Sequence, residues 1–356
     1  MVFDQIEEVF KTFKPDSQLL TYEELATGHI NDTYLVKAAD QSLYVLQRIN
    51  QGVFKDVPGL IWNKVHISHH LQQKLMHLSV KERLRRALTF VFNQNGEPYT
   101  VDQKGDYWNL MIYIDQSKTF ETVKSEEVAR EGGKLFGEFL NLTSDFDPNK
   151  LVEVIPKFHD MDFRYAQFED ALKKGSKERL ERAKSYIDLV AVLKDEMHLL
   201  QKLKNEGKIK LRVTHNDTKI SNALFDLNDK GLCVIDTDTV MQGIVHYDFG
   251  DAIRTICNQA AEDEKDLDQV QFNKPFYQAY LQGFLEKTEA TLTPIEIKYL
   301  PLGAKTMIFI MALRFLTDYL NGDIYYKTKY DDHNLDRAKN QFKLIQSFDE
   351  KMGRVV

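Results

Sequence analysis

The sequence predicts an α+β protein of two lobes: an antiparallel-sheet lobe over residues 1–115, then a mainly helical lobe over 116–356. Three observations lead there. Short β-prone runs separated by turn signals crowd the first third of the chain. Long stretches with helical periodicity fill most of the remainder. A length of 356 residues also exceeds what one small core would organise.

Phe3, Ile6, Val9, Phe10 and Phe13 recur at helical spacing, so residues 1–14 are expected to form an amphipathic helix. Strands are expected over 19–25, 33–38 and 42–49, with a hairpin turn at Ala39-Asp40-Gln41. A helix is expected from Pro58 to about Met76. Two further strands, 87–92 and 106–114, flank the turn signal Asn93-Gln94-Asn95-Gly96. Beyond Asp115 the character becomes helical. Ser125 caps a helix to about Asn141, with Glu126 and Glu127 in its first turn. A loop covers 148–164, and a long helix is expected over 176–205, closed by Gly207. A β-rich insert follows over 211–239, then helices near 266–285, 294–320 and 335–352.

The composition narrows the function. Hydrophobic residues make up 43% and charged residues 28%, and the formal net charge is -7. No Lys/Arg stripe is present to grip a nucleic-acid backbone, so nucleic acid is disfavoured as a partner. The two cysteines, Cys233 and Cys257, form no CxxC pair and predict neither zinc nor a disulfide framework. The acidic start lacks the n-region of a secretory signal, and the apolar run 307–316 is short and holds Arg314. A cytoplasmic protein without a membrane partner is expected.

One stretch carries chemistry. Val213-Thr-His215-Asn-Asp217-Thr-Lys219-Ile-Ser-Asn222 fits His-x-Asp-x-x-x-x-Asn, and Val234-Ile235-Asp236-Thr-Asp238 is an apolar strand ending in an aspartate. Phosphoryl transfer needs positioning and charge neutralisation more than covalent chemistry. Asp217 is placed to accept the proton of an attacking hydroxyl. Asn222 and Asp236 offer the hard oxygens that Mg²⁺ on ATP requires. Lys219 can reach the transferred phosphate, and His215 completes the catalytic set. Asp and Asn are also common in plain turns, and it is the combination that favours a kinase. The literal Asp-Phe-Gly at Asp248 lies too far beyond Asp217 to hold the metal and is expected to brace the catalytic loop. Upstream, Gly28, His29, Asn31 and Thr33 occupy the place of a phosphate-covering loop. Gln47 stands where protein kinases carry a strand lysine, with Arg48 on the other face. The following helix offers Val65 and His66 where an acidic partner would sit, so the lysine–glutamate pair is expected to be absent. Met111, Tyr113 and Ile114 end a strand at the expected adenine pocket.

These motifs, with Tyr247–Asp251, resemble the aminoglycoside phosphotransferase/choline kinase superfamily, and more closely the bacterial N-acetylhexosamine 1-kinases. The likeness runs through Gly28-His-Ile-Asn31, Tyr44-Val-Leu-Gln47, Phe158-His-Asp160, Arg212–Lys219, Asp248–Arg254, Glu262–Leu267, Arg314–Leu320, Gly322–Tyr325 and His333–Leu335. It implies a two-lobed protein-kinase-like fold and ATP- and Mg²⁺-dependent phosphorylation of the anomeric hydroxyl of N-acetylglucosamine or N-acetylgalactosamine. Asp217 then corresponds to the base, and Asn222 and Asp236 to the metal ligands. Arg314, Asp318, Tyr319, Tyr325 and His333, with His159 and Arg164, are candidate sugar contacts, although Arg314 and Asp318 could equally form an i,i+4 ion pair. The competing readings are a kinase of homoserine, choline or an aminoglycoside, and a non-catalytic kinase-like binding protein.

Overall fold

The computed structural model describes residues 2–25 and 30–353; Gly28 and His29 of the expected phosphate loop lie outside the described residues. In chain order the elements begin with α1 (Val2–Phe13), β1 (Leu19–Glu24), β2 (Asp32–Ala38), β3 (Leu43–Arg48), α2 (Val57–Lys74) and α3 (Val80–Arg86). Next are β4 (Phe90–Val91), β5 (Thr100–Val101), β6 (Tyr107–Ile112), β7 (Ser117–Lys118), α4 (Glu126–Leu142) and α5 (Met161–Lys174). Then come α6 (Lys177–Met197), α7 (Leu199–Asn205), β8 (Arg212–Thr214), β9 (Ala223–Asp226), β10 (Gly231–Val234) and β11 (Met241–Gly243). Last are α8 (Val245–Ile256), α9 (Lys274–Thr288), α10 (Pro294–Lys298), α11 (Leu300–Leu320) and α12 (His333–Met352).

The chain folds as two compact units. The first holds residues 1–119 together with 142–155 and 223–242; the second holds 120–141, 156–222 and 243–356. A single cut at 115 leaves the two later segments of the first unit on the wrong side. The reason is strand pairing over a long sequence separation: β7 pairs with β9, and β9 with β10.

In the first unit a six-stranded sheet runs in the order β1-β2-β3-β6-β4, with β5 beside β6. Alternation along the strands separates its two faces. Tyr34, Val36, Ala38, Tyr44, Leu46, Trp108 and Leu110 form one core with Ile6, Val9, Phe10 and Phe13 of α1. The other face carries Thr33, Gln47 and Asn109 side by side, in register across β2, β3 and β6. The expected strand over 87–92 shortens to Phe90–Val91, and an unanticipated helix, α3, ends just before it at Arg86. That helix is opened by a reciprocal capping box between Ser79 and Glu82.

The second unit is built around α11, against which α5, α6, α8 and α12 pack. Among the described residues α11 is the one helix long and apolar enough to cross a membrane, and it is mostly buried inside the unit. The expected long helix over 176–205 breaks at His198 into α6 and α7. The helix expected from 266 starts later, at Lys274, where Asn273 caps it and Pro275 opens its first turn. In this unit α5 and α8 were not anticipated, as α3 was not in the first. Asp160 caps α5 by accepting the Phe163 N–H at 2.8 Å. The Tyr247–Asp251 motif lies inside α8, whose buried His246, Asp248 and Asp251 interrupt the apolar stripe by which a helix is recognised.

Gly250 explains the third letter of the literal Asp-Phe-Gly: a Cβ there would collide with the Gly303 carbonyl of α11. Gly250→Ala should therefore destabilise the protein by about 1–3 kcal/mol or more, the usual range for overpacking, read as a lower urea midpoint at unchanged m-value.

Candidate active site

The segment after β8 carries the predicted chemistry, and α8 holds it in place. Asp248 accepts the main-chain N–H of His215 at 2.8 Å and that of Asn216 at 2.7 Å. Asp251 accepts the N–H of Thr218 at 3.0 Å and is itself paired with Arg254 at 3.2 Å. Burial pushes the Asp248 carboxyl up to about 6, against the opposing pull of His215 and of the two amides. It is thus ionised at neutral pH, and Asp248 braces the loop as the sequence suggested. Asn216 sits at φ 65, a left-handed conformation that asparagine tolerates better than most residues.

Asp217 is about one-third exposed. Its Oδ2 accepts the Asn222 amide at 2.9 Å and lies 3.1 Å from Lys219 Nζ, while its Oδ1 has no partner among the described residues. One carboxylate oxygen is fixed and the other is available. His215 is different from expectation. Its ring is fully buried, edge-on to Phe136 and Phe139, and its Nδ1 accepts the Asp217 N–H at 3.3 Å. It shapes the loop and is not presented for catalysis.

The two residues expected to hold Mg²⁺ lie in different units, Asn222 in the second and Asp236 in the first, and each offers a hard oxygen. Both hydrogen bonds of the Asn222 amide are made by Nδ2, to the Asp217 carbonyl and carboxylate, so its Oδ1 is the atom left for a cation. Asp236, in the first unit, supplies a carboxylate and is held at φ 57, a left-handed backbone uncommon outside glycine and associated with functional sites. Among the described residues no cage of three or more His, Cys, Asp or Glu side chains exists.

The first unit contains a buried polar cluster. Lys64 of α2 donates to Gln47 Oε1 at 2.9 Å and forms an ion pair with Asp238, whose other oxygen accepts from Asn31. Asn31 also accepts the Asn50 N–H at 2.8 Å, so it is a strut of this cluster. Asn109, beside Gln47, is fully buried and neither atom of its amide has a partner among the described residues. The cation of this cluster comes from the helix and its carboxylate from Asp238; nothing in the sequence pointed to it, because both partners of Lys64 lie far from it along the chain. Of the expected adenine contacts, Met111 and Ile114 are buried, whereas the Tyr113 N–H is taken by Leu43 O at 3.1 Å.

In the second unit a cavity of about 270 Å³ is lined by Arg164, Gln167, Arg314, Asp318, Tyr325 and Tyr326, among others. Arg314 lies over the rings of Phe158, Tyr325 and Tyr326 at 5.4, 5.9 and 5.5 Å. Arg164 donates to Phe158 O and Gln167. Neither guanidinium forms an ion pair among the described residues. Burial, and then the charge of Arg314, pull Arg164 down to about 10, which leaves it charged. The Tyr326 hydroxyl is buried and has no partner among the described residues. His159 donates from Nε2 to Asn216 O at 3.3 Å, and its buried Nδ1 has no partner among the described residues. Burial and Arg314 hold it neutral, at about 3, and it lies within electrostatic reach of Asp217 as well.

Three expected sugar contacts have other tasks. Asp318 does not pair with Arg314: its oxygens accept the N–H groups of Ile324, Tyr325 and Tyr326 at 3.1, 2.9 and 2.9 Å, and Asn334 at 2.9 Å. It fixes the turn that presents both tyrosines. Tyr319 is buried under Arg179, away from the cavity lining. His333 is fully buried, with Nδ1 accepting Lys329 N–H at 3.1 Å and Nε2 bonded to Asp263 at 3.2 Å.

A family model described as phosphotransferase enzyme family matches residues 21–290, well over half of the chain. The chain belongs to this family. Its fold is kinase-like, with an antiparallel sheet towards the N-terminus and helices towards the C-terminus. A microcompartment-associated aminopropanol kinase is 15% identical over 96% of this chain and 95% of that chain, with a TM-score of 0.62. The amicoumacin kinase hAmiN, solved with AMP-PNP, Ca²⁺ and Ami, is 13% identical over 97% and 92%, with a TM-score of 0.59. Choline kinase LicA from Streptococcus pneumoniae is 15% identical over 97% and 99%, with a TM-score of 0.54.

The loop bracing gives a pH dependence with a definite sign. Below about pH 6 Asp248 takes up a proton and one backbone amide loses its acceptor. In the phosphotransferase, kcat should therefore fall as the pH is lowered through about 6. Asp248→Asn should lower both kcat and the melting temperature, remove that step and leave the Mg²⁺ requirement unchanged, as a pH–rate series and a Mg²⁺ titration would record. Each amide left unsatisfied costs about 1–3 kcal/mol.

Proposed function

We propose that this enzyme transfers the γ-phosphoryl group of ATP to the anomeric hydroxyl of an N-acetylhexosamine, N-acetylglucosamine or N-acetylgalactosamine. The observation that carries the reading is the cavity with two unpaired guanidiniums and two tyrosine rings. Arg164 and Arg314 are donors only, matched to ring hydroxyl and acetamide oxygens, and the tyrosine faces suit the apolar side of a sugar ring. Asp170 and Asp318 also line the cavity, but Lys174 pairs the first and backbone amides engage the second, so the guanidinium charge disfavours cationic acceptors such as the aminopropanol and choline named for two of the solved relatives. The motif likeness to N-acetylhexosamine 1-kinases supports the same substrate.

Asp217 Oδ1 accepts the proton of the sugar hydroxyl as its oxygen attacks phosphorus, while Asn222 and Lys219 hold Oδ2. An anomeric hydroxyl is more acidic than other ring hydroxyls, which eases its transfer to a carboxylate. Asn222 Oδ1 and the Asp236 carboxylate would each offer an oxygen to Mg²⁺, which would neutralise charge on the ATP phosphates. Arg314, Arg164 and the Tyr326 hydroxyl orient the sugar.

Incubation with ATP and each hexosamine, followed by phosphorus–proton correlation NMR, should find phosphate on C1. A 6-phosphate, or turnover of an amino alcohol with none of any hexosamine, overturns the substrate. Asp217→Asn should reduce kcat by about 10²–10⁴-fold while nucleotide affinity stays within a few-fold. Arg314→Met should raise the sugar KM by about 10- to 100-fold without altering the KM for ATP, the scale of a lost charge-assisted hydrogen bond.

A further inference from the structure

We propose that Lys64, on helix α2, supplies the fixed positive charge for the nucleotide's phosphates in the first unit, in place of a lysine on β3. The inference rests on the use of ATP and is independent of which acceptor is phosphorylated. Kinases of this fold commonly place the phosphate-binding cation on the third strand and its carboxylate partner on the following helix. Here the strand contributes a neutral amide, Gln47. Its neighbour Arg48 points to the opposite face, bonded to Asp32 at 2.7 Å and Asp106 at 3.1 Å. The cation has moved to the helix, and the carboxylate comes from Asp238, two residues after Asp236.

The local chemistry favours a ligand-directed role over packing. Lys64 is 2% exposed, and a buried ammonium is costly unless paired and hydrogen-bonded. A position that needed only volume would be filled as well or better by an apolar side chain. Gln47 and Asp238 engage two of the three ammonium donors, and the third has no partner among the described residues. Asn31 locks the second oxygen of Asp238, which fixes the ammonium in turn. Asn63, the preceding residue, staples α2 in place by donating to Val152 O at 2.8 Å and Val240 O at 2.9 Å. On the same sheet face the unpartnered Asn109 amide leaves a further buried polar group beside Gln47.

Direct nucleotide binding, by calorimetry with AMP-PNP or adenosine and Mg²⁺ and with no acceptor present, tests the assignment. Lys64→Met/Asp238→Asn removes the pair without leaving a lone buried charge. Its affinity for AMP-PNP should drop about 10- to 100-fold and its affinity for adenosine should not change. The transposed Gln47→Lys/Lys64→Gln protein, which keeps the cation and Asp238, should regain most of the loss. A folded neutral double variant that binds AMP-PNP as the wild type does overturns the proposal. Should that variant fail to fold, the wild type decides it. The ¹³Cε resonance of Lys64, assigned by its absence in Lys64→Arg, should shift with AMP-PNP and not with adenosine, and an unmoved resonance overturns the proposal. Because no sugar enters these measurements, a failed hexosamine assignment leaves them intact. A wild type that binds no nucleotide overturns both readings.

Discussion

The second unit depends on the close approach of α8 to α11. Only glycines at 250 and 303 allow the two backbones to meet, and that contact sets where α8 presents Asp248 and Asp251. Those carboxylates in turn take the amides of His215, Asn216 and Thr218, so the conformation of the loop bearing Asp217 is fixed by a helix later in sequence. The other partner, α11, carries Arg314 into the cavity and, one turn on, Asp318 into the turn that presents Tyr325 and Tyr326. One helix pair thus positions both the loop that bears Asp217 and the cavity lined by Arg314.

Buried charge is handled in two ways. Around the base, carboxylates are buried because backbone amides and Arg254 satisfy them. The cavity does the reverse: its guanidiniums are stacked on aromatic rings and lack carboxylate partners among the described residues, which leaves their charge for a ligand. In the first unit Lys64 and Asp238 neutralise each other at a point where the sheet face turns polar. Unpaired charge in a partly buried place is costly, and its persistence marks a surface meant to be completed by something else.

The chemistry-bearing loop was legible because its spacing is local. Asp217, Lys219 and Asn222 lie within one short loop, and the side-chain contacts among them follow from sequence proximity. The role of Asp248 was legible from its distance along the chain to Asp217. What sequence proximity misled about was the region 314–333. Asp318 looked like a partner for Arg314 at helical spacing but turns to three amides of the following turn, and His333 and Tyr319 face inward. Backbone amides leave no mark in the sequence, so a carboxylate that serves them is indistinguishable from one that serves a ligand.

By itself the sequence determined the order of sheet then helices, the amphipathic first helix and the residues able to carry phosphoryl transfer, because each is written in spacing over a few residues. Only the tertiary structure decided that 223–242 joins the first unit, that Lys64 meets Gln47 and Asp238, and that Arg164 and Arg314 line one cavity. Those facts depend on contacts between residues far apart in the chain. Such contacts are selected by which arrangement buries apolar surface while leaving the fewest polar groups unpaired, a condition met by the whole fold and by no segment alone.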